Sequence, residues 1–230
     1  KGASWVVSEG SEEVKGAGSI ELAKARDDCI VAYGQNGEAL RPQNGYPVRL
    51  IVPGFEGIYN TKWLRRMKVT DQYYMTYNDY GHITNAPKVA ALTFQWGPKS
   101  VITFPSGGEK LTAHGLYQIT GLAWSGGGAV RKVEISTDGG HTWKDAEMRG
   151  EAHRMAHTRF GLNWKWEGQE CVLMSRCTDE LGQVQPTRTQ VAKVFNVAPE
   201  YYHDHGVQGS DNTIVPWRVT TDGSVYNALS

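Results

Sequence analysis

The pattern of hydrophobic and polar positions changes near residue 100 of the chain. From Ser100 onward, apolar and polar residues alternate in short runs that Gly-rich turns separate at regular intervals. This rhythm predicts an antiparallel β-sandwich of about seven strands. The predicted strands are VITFP, LYQITGLAWSG, VRKVEISTDGG, TWKDAEMRG, HTRFGLNWKWEG, CVLMSRCTDELG and KVFNVAP. We expect the sandwich at residues 97–199, followed by a polar, aromatic tail (200–230) that wraps over a domain surface.

Residues 1–70 show a different pattern, in which short apolar runs alternate with turn signals. The repeated βαβ pattern of a doubly wound fold is missing, so this part is predicted to be mixed α+β. The best helix candidate is SIELAKAR, with Ser19 as its N-cap. Residues 71–98 are rich in Asn, Asp, Gly and Pro, which indicates a long active-site or connecting loop. The chain is therefore expected to be α+β and mostly β, with a first domain at residues 1–96.

Composition narrows the classes of function. The 230 residues include 24 Lys or Arg and 24 Asp or Glu, so no overall charge would attract nucleic acid or an anionic membrane. No apolar run approaches the roughly 20 residues that span a membrane. The chain opens with KGASWVV, without an initiator Met or a signal peptide. We expect it to be a processed or truncated piece of a longer protein.

The three cysteines do not indicate a disulfide framework. Cys171 and Cys177 lie in one predicted strand, which separates them by about 20 Å. A disulfide requires Cα atoms within about 7 Å. We expect both residues, and Cys29, to act as small buried hydrophobes.

Two His pairs, His153 with His157 and His203 with His205, raise the possibility of a metal site. Residues four apart on a strand are separated by about 13 Å, which is too far to share one ion. No acidic or Cys partner lies at a known ligand spacing. No dedicated metal site is expected.

The sequence STDGGHTW, at residues 136–143, has the Ser-x-Asp-x-Gly-x-x-Trp spacing of an Asp-box. In such a hairpin Asp138 bonds nearby backbone N–H groups, two glycines adopt positive φ, and Trp143 packs under the turn. The motif occurs once, without an internal repeat, so we interpret it as structural.

The most distinctive chemistry lies in residues 44–66, NGYPVRLIVPGFEGIYNTKWLRR. This stretch combines a Gly-Tyr-Pro turn, an apolar strand and a glycine-rich loop with a high density of cations. The cations, including one just before the segment, are Arg41, Arg49, Lys62, Arg65 and Arg66. Backbone N–H groups with Lys and Arg could cradle a phosphate. Equally, the segment could be a solvated strand edge whose cations pair with surrounding acids.

The wider context of this segment resembles the sulfite oxidase family of molybdenum enzymes. NGYPVRLIVPGFEGIYNTKWLRRMKV is similar to the family's pterin-binding stretch, and it is preceded by GAGSIEL and IVAYGQNGEAL. The similarity extends through KSVITFPSGG and HGLYQITGLAWSGGGAVRKVEISTDGGHTWKDA. The resemblance implies the C-terminal part of a sulfite oxidase-type molybdopterin domain, followed by an Ig-like dimerisation domain.

The resemblance also implies roles for individual residues. Those matched to the molybdopterin site are Asn44, Arg49, Asn60, Thr61, Lys62 and Glu9. Tyr80 is implied as the active-site tyrosine, with Tyr77 as its rival, and Arg218 as a positive charge near an anionic substrate. The family's molybdenum-ligating cysteine lies upstream of everything in this sequence, and none of the three cysteines falls in its motif. We therefore expect no metal ligand in this chain, and neither normal molybdenum binding nor turnover by the chain alone.

Within the family, PSGG, GLAWSG, SRCTDELGQVQPTR and WRVTTDGSVYN most resemble the molybdenum subunit of sulfane dehydrogenases. This implies a periplasmic oxidoreductase that oxidises sulfane sulfur on a carrier protein and passes electrons to a c-type cytochrome. The haem would lie on that partner subunit only, and a homodimer would form through the Ig-like domain. Two alternatives stay open at this point: a dehydrogenase acting on free sulfite, and a non-catalytic Ig-like interaction module.

Overall fold

The computed structural model describes residues 2–12, 17–76, 79, 95–195, 198 and 211–228. The chain forms two compact units, Lys1–Gln95 and Trp96–Ser230. Tyr77 and Tyr80, both named above, lie outside the described residues, as do His203 and His205. Neither described helix has the length and apolar character that crossing a membrane demands.

The described part of the first unit consists mainly of short strands, with a short α-helix after the second strand. Its elements are β1 (Trp5–Gly10), β2 (Ala17–Glu21), α1 (Leu22–Asp27), β3 (Ile30–Ala32), β4 (Gly34–Gln35), β5 (Glu38–Ala39), β6 (Arg49–Ile51) and β7 (Leu64–Thr70). Strands β2, β1 and β7 form an antiparallel sheet in that order, while β3 pairs with β6 and β4 with β5. The core of the unit consists of Val6, Ile20, Leu50, Val52 and Tyr59.

The predicted N-cap role of Ser19 is wrong. Ser19 lies in β2, opposite Val7 of β1, and its hydroxyl donates to the Tyr74 carbonyl at 2.7 Å. Helix α1 starts three residues later, after Glu21, which makes no side-chain cap. Pairing with β1 keeps Ser19 extended, and its hydroxyl holds the segment that follows β7.

The second unit contains the predicted sandwich. Its elements are β8 (Lys99–Phe104), β9 (Gly115–Trp124), β10 (Val130–Ser136), β11 (Lys144–Asp145), β12 (Glu147–Arg149), β13 (Thr158–Trp166), β14 (Cys171–Asp179), α2 (Arg188–Phe195), β15 (Trp217–Val219) and β16 (Val225–Asn227). One antiparallel sheet has the order β12-β13-β9-β8 and the other β11-β10-β14-β15-β16. Inward residues of both sheets, such as Ile119, Phe160, Val133 and Leu173, share one core. The α+β, mostly β fold class and the antiparallel sandwich are confirmed.

Two parts of the second unit differ from the sequence prediction. KVFNVAP was predicted as a strand, but its first residues belong to α2. A capping box explains the helix, because Gln190 Oε1 accepts from Thr187 N at 2.7 Å and Thr187 Oγ1 accepts from Gln190 N at 3.2 Å. The polar stretch near the end of the sequence supplies β15 and β16, with Val219 and Val225 in the core.

The Asp-box hairpin has the predicted structural form. Asp138 Oδ1 accepts from the backbone N–H of Thr142 at 2.9 Å, and the φ angles of Gly139 and Gly140 are 72° and 95°. The Trp143 indole donates to the Gly140 carbonyl at 3.0 Å. The motif therefore shapes a turn of the sandwich.

A buried amide joins three segments of the second unit. Gln185 Oε1 accepts from Ser100 N at 2.8 Å and from Ser100 Oγ at 2.7 Å. Its Nε2 donates to the carbonyls of Ser100 and Thr213 at 3.2 and 3.3 Å. Because Gln185 is buried, removing its side chain would leave several backbone groups without partners.

Replacing this amide should be costly. We expect Gln185→Ala to lower the free energy of unfolding by about 3 kcal/mol, because buried polar groups would lose their hydrogen bonds. Gln118→Ala is the matched control, since Gln118 is exposed and its side chain donates to Asn163 Oδ1 at 3.3 Å. That control should cost less than about 0.5 kcal/mol. Urea unfolding followed by tryptophan fluorescence measures both, and equal losses would contradict the role assigned to Gln185.

Candidate cofactor site

The basic segment is folded by a close contact at Gly45. A 3-10 turn at Pro42–Asn44 ends in Gly45, whose φ is 106°. A Cβ at this position would lie 3.1 Å from both Lys62 Cα and Trp63 N. Glycine is therefore required here on two counts, its left-handed backbone and the approach of a second chain segment. The contact brings Asn44 beside Lys62.

The glycine-rich loop between β6 and β7 is closed by one side chain. Asn60 Oδ1 accepts from Val52 N at 2.8 Å, and Asn60 Nδ2 donates to the Glu56 carbonyl at 3.0 Å. Backbone bonds on either side, such as Leu50 N to the Thr61 carbonyl at 2.8 Å, continue the pairing. Both ends of the Asn60 amide thus hold the loop in shape.

Arg49 links the two sides of the segment. Its Nη1 donates to the Asn44 carbonyl at 3.1 Å and its Nη2 to the Asn60 carbonyl at 3.5 Å. Its Nε is buried and makes no hydrogen bond within the described part of the chain. Burial lowers the pKa of Arg49, although a guanidinium keeps its proton in proteins.

Lys62 lies next to this arrangement. Its Nζ donates to the Gln43 carbonyl at 3.1 Å and sits 4.7 Å from the centre of the Trp63 ring. Trp63 adopts a φ of 47°, and its indole donates to the Pro42 carbonyl at 2.9 Å. Sequence reasoning missed Trp63 as part of the site; its only signal was its place directly after Lys62.

The cations of the segment fall into two groups. Neither Arg49 nor Lys62 forms an ion pair among the described residues; backbone carbonyls accept from both, and the Trp63 ring lies beside Lys62. Arg65 and Arg66 instead both bind the carboxylate of Glu9, Arg66 at 2.5 Å. Hydrogen bonds from Arg65 and then Arg66 lower the pKa of Glu9. The two alternatives drawn from the sequence therefore apply to different residues: a paired strand edge at Arg65 and Arg66, and unpaired cations at Arg49 and Lys62.

Two further candidates, Thr61 and Arg218, have different surroundings. Thr61 is only 4% exposed, and its hydroxyl shares a 2.8 Å hydrogen bond with that of Ser8. Its burial and this hydrogen bond place the Thr61 side chain in the interior of the first unit, against β1. Arg218 lies in β15 of the second unit, where its Nε is 3.3 Å from Glu170.

The three cysteines are free thiols in protected surroundings. Burial raises the pKa of Cys29 and Cys171 to about 11 and that of Cys177 to about 12. A metal-binding cysteine is a thiolate, favoured by nearby positive charge. Within the described ranges, no cluster of three or more His, Cys, Asp or Glu side chains could hold a metal ion.

Comparison with known proteins gives this geometry a context. Residues 1–78 match the oxidoreductase molybdopterin binding domain, and residues 92–209 match the Mo-co oxidoreductase dimerisation domain. The chain is 36% identical over 229 residues to a nitrate reductase [NADH] of Solanum lycopersicum, covering 82% of this chain and 25% of that protein. It is 34% identical over 202 residues to the mitochondrial sulfite oxidase of Rattus norvegicus, covering 78% and 36%. The chain thus spans about a quarter to a third of the length of these relatives.

A solved structure is similar over almost the whole chain. The crystal structure of the sulfane dehydrogenase SoxCD from Paracoccus pantotrophus superposes with a TM-score of 0.83 at 35% identity, covering 98% of this chain and 57% of that one. The matched domains place the chain in the class of molybdopterin-binding proteins. More narrowly, the chain belongs to the sulfite oxidase family of molybdenum enzymes.

The observed side chains fit molybdopterin, the family's cofactor. Its phosphate is an anion, and Arg49 and Lys62 offer positive charge that no described carboxylate neutralises. The buried Arg49 Nε is a further donor without a hydrogen bond in the described chain. Charge-assisted hydrogen bonds of this kind are shorter and stronger than neutral ones.

Removing the unpaired cations should empty the site. We expect Arg49→Ala and Lys62→Ala, made in the full-length protein, each to lower cofactor affinity by about tenfold or more, since a hydrogen bond to a charged group is lost. Arg66→Ala is the control, because Arg66 is already paired with Glu9. Bound pterin is measured by its fluorescence after oxidation, and molybdenum by elemental analysis. Full cofactor in the Arg49→Ala, Lys62→Ala double variant would contradict the assignment.

The Glu9 cluster should give a pH-dependent contribution to stability. A lowered native pKa means that the contribution is complete above the ordinary value of 4.5 and is lost as the pH falls through the native pKa. The thermal midpoint of the chain should therefore exceed that of Glu9→Gln at pH 7 and converge with it in acid. About 1 M salt should shrink the difference at pH 7 through screening. A difference that is the same at pH 3 and pH 7 would argue against this ion-pair cluster.

Proposed function

We propose that the protein carrying this chain is a molybdopterin-dependent dehydrogenase that oxidises sulfane sulfur on a carrier protein. The observation that carries the proposal is the similarity to SoxCD, at 35% identity over 98% of the chain. Similarity to sulfite oxidase, at 34% identity, supports sulfur as the element oxidised. Other parts of the full-length protein would supply the metal-ligating thiolate, because none of the three cysteines here falls in the family's motif for it.

In this proposal the chain contributes the anion-binding part of the cofactor site. Arg49 and Lys62 would hold the phosphate, and the Gly45 contact keeps their segments together. Bound molybdopterin supplies a molybdenum centre that accepts electrons from sulfur and delivers oxygen derived from water. The protein's own part is orientation and a preorganised positive field. Tyr80, with Tyr77 as its rival, is proposed as the active-site tyrosine, and Arg218 as a positive charge that favours an anionic substrate.

The proposed partners follow from the same similarities. A homodimer formed by the second unit is supported by the match of residues 92–209 to a dimerisation domain. A c-type cytochrome carrying the haem, a sulfur-carrier protein and a periplasmic location are further parts of the proposal. They are supported by likeness in sequence to the molybdenum subunits of sulfane dehydrogenases.

A dehydrogenase acting on free sulfite is the second candidate, since the sulfite oxidase of Rattus norvegicus is almost as similar in sequence as SoxCD. The match to nitrate reductases at 36% identity adds nitrate as a substrate to be tested.

Turnover of the full-length protein distinguishes these substrates. We expect kcat/KM for a carrier protein bearing sulfane sulfur on cysteine to exceed that for free sulfite, with cytochrome c reduction as the readout. Nitrate reduction with a low-potential donor should be undetectable. Higher kcat/KM on sulfite would transfer the assignment to a sulfite dehydrogenase. Full-length protein without molybdenum would instead favour a non-catalytic interaction module.

A further inference from the structure

A fully buried carboxylate, that of Asp79, is hydrogen-bonded to the basic segment, residues 44–66. Asp79 is 0% exposed. Its Oδ1 accepts from the Tyr59 hydroxyl at 2.9 Å, and its Oδ2 accepts from the backbone N–H and the hydroxyl of Thr76 at 2.8 and 2.9 Å. Burying a carboxylate is costly unless several donors satisfy it. Tyr59 and Thr76 provide such donors here, and Tyr73 interacts with the same carboxylate.

Tyr59, which is part of the basic segment, connects that segment to Asp79. It ends the 3-10 turn Gly57–Tyr59 and is 3% exposed in the core of the first unit. Its ring meets Phe55 edge-on at 6.0 Å, and a Cβ at Gly18 would lie 2.9 Å from its Cδ1. Burial, and then the charge of Asp79, raise the pKa of Tyr59, so its hydroxyl stays protonated and donates. The ring is fixed by packing and the hydroxyl by Asp79.

The position of Tyr59 determines that of the next residue. Asn60 follows directly, its carbonyl accepts from Arg49 Nη2, and its amide closes the glycine-rich loop. A shift of the Tyr59 backbone would move the Asn60 carbonyl and with it the guanidinium. Small displacements of this kind weaken binding strongly, because charge-assisted hydrogen bonds depend on geometry.

We propose that Tyr59 and Asp79 are positioning residues of the cofactor site. Their hydrogen bond holds the Asn60 backbone in place, keeps the Arg49 guanidinium aimed at the cofactor phosphate, and so sets how long molybdopterin stays bound. This inference rests on the proposed binding of the phosphate by Arg49. Neither residue touches the cofactor in this scheme, since Asp79 is fully buried and Tyr59 acts through Asn60.

The test measures release of the cofactor rather than activity. Full-length holoprotein is diluted well below its thermal midpoint, and released pterin is followed by its fluorescence after oxidation. We expect Tyr59→Phe and Asp79→Asn each to accelerate release about tenfold, which is the effect of losing one hydrogen bond to a charged group. Because the two residues act through one bond, the double variant should release no faster than the single ones.

A matched control separates positioning from general loss of stability. Tyr117→Phe also removes one tyrosine hydroxyl, which donates to the Ala113 carbonyl at 2.6 Å in the second unit. That variant should release pterin at the wild-type rate. Should Tyr59→Phe fail to fold, Thr76→Val removes one donor from Asp79 more gently and should still accelerate release by about threefold.

The outcomes separate this inference from the function on which it rests. If Tyr59→Phe and Thr76→Val retain pterin as long as wild type while Arg49→Ala loses it, the positioning role is wrong and the cofactor site stands. If Tyr117→Phe accelerates release equally, the effect is one of stability and the positioning role is again wrong. If Arg49→Ala retains full cofactor, the phosphate assignment fails, and this inference fails with it.

Discussion

The guanidinium of Arg49, held between two backbone carbonyls, is the interaction on which the basic segment depends. Carbonyl groups satisfy its donors without neutralising its charge, so the segment keeps a positive charge that is partly shielded from water. Such a charge is costly to bury, and an anion relieves the cost. Gly45, Asn60 and Tyr59 all serve to hold the carbonyls at the right places. The backbone of the loop thus holds a positive charge in a place where an anion would be favoured.

The structure also explains why a cluster of cations is not one uniform patch. Arg65 and Arg66 lie only a few residues from Lys62, yet both share the one carboxylate of Glu9, which neutralises one of their two charges. Their pairing links β1 to β7 by side chains as well as by the backbone. Arg49 and Lys62, which no described carboxylate pairs, keep their full charges.

Local sequence rules account for much of the fold and for part of the site. The alternation of apolar and polar residues predicted the strands of the sandwich, and the Asp-box motif predicted its hairpin. The capping-box spacing of Thr187 and Gln190 is present in the sequence, but the apolar alternation after it favoured a strand. The burial of Thr61 instead depends on its hydrogen bond with Ser8, 53 positions away, which no local rule predicts.

Contacts between distant residues could not be predicted in this way. Glu9 meets Arg66 across 57 positions of sequence, and Tyr59 meets Asp79 across 20. Neither local propensity nor spacing encodes such pairings, because they depend on how the strands are brought together. The resemblance to a family supplied the candidates for the site, and the structure divided them by burial and by charge.

The last strands of the second unit have a consequence for the timing of folding. Strand β15 adds to the sheet edge at β14, and Leu111 N donates to the Gly223 carbonyl at 2.8 Å. Lys110 and Asp222, which pair nearby, are 112 positions apart. Closing so long a loop is slow, and the stabilising contacts that compensate its entropy cost form only when the final strands are present. During synthesis on the ribosome the sandwich therefore stays open at one edge until nearly its whole sequence has emerged, and chaperones have that interval in which to act.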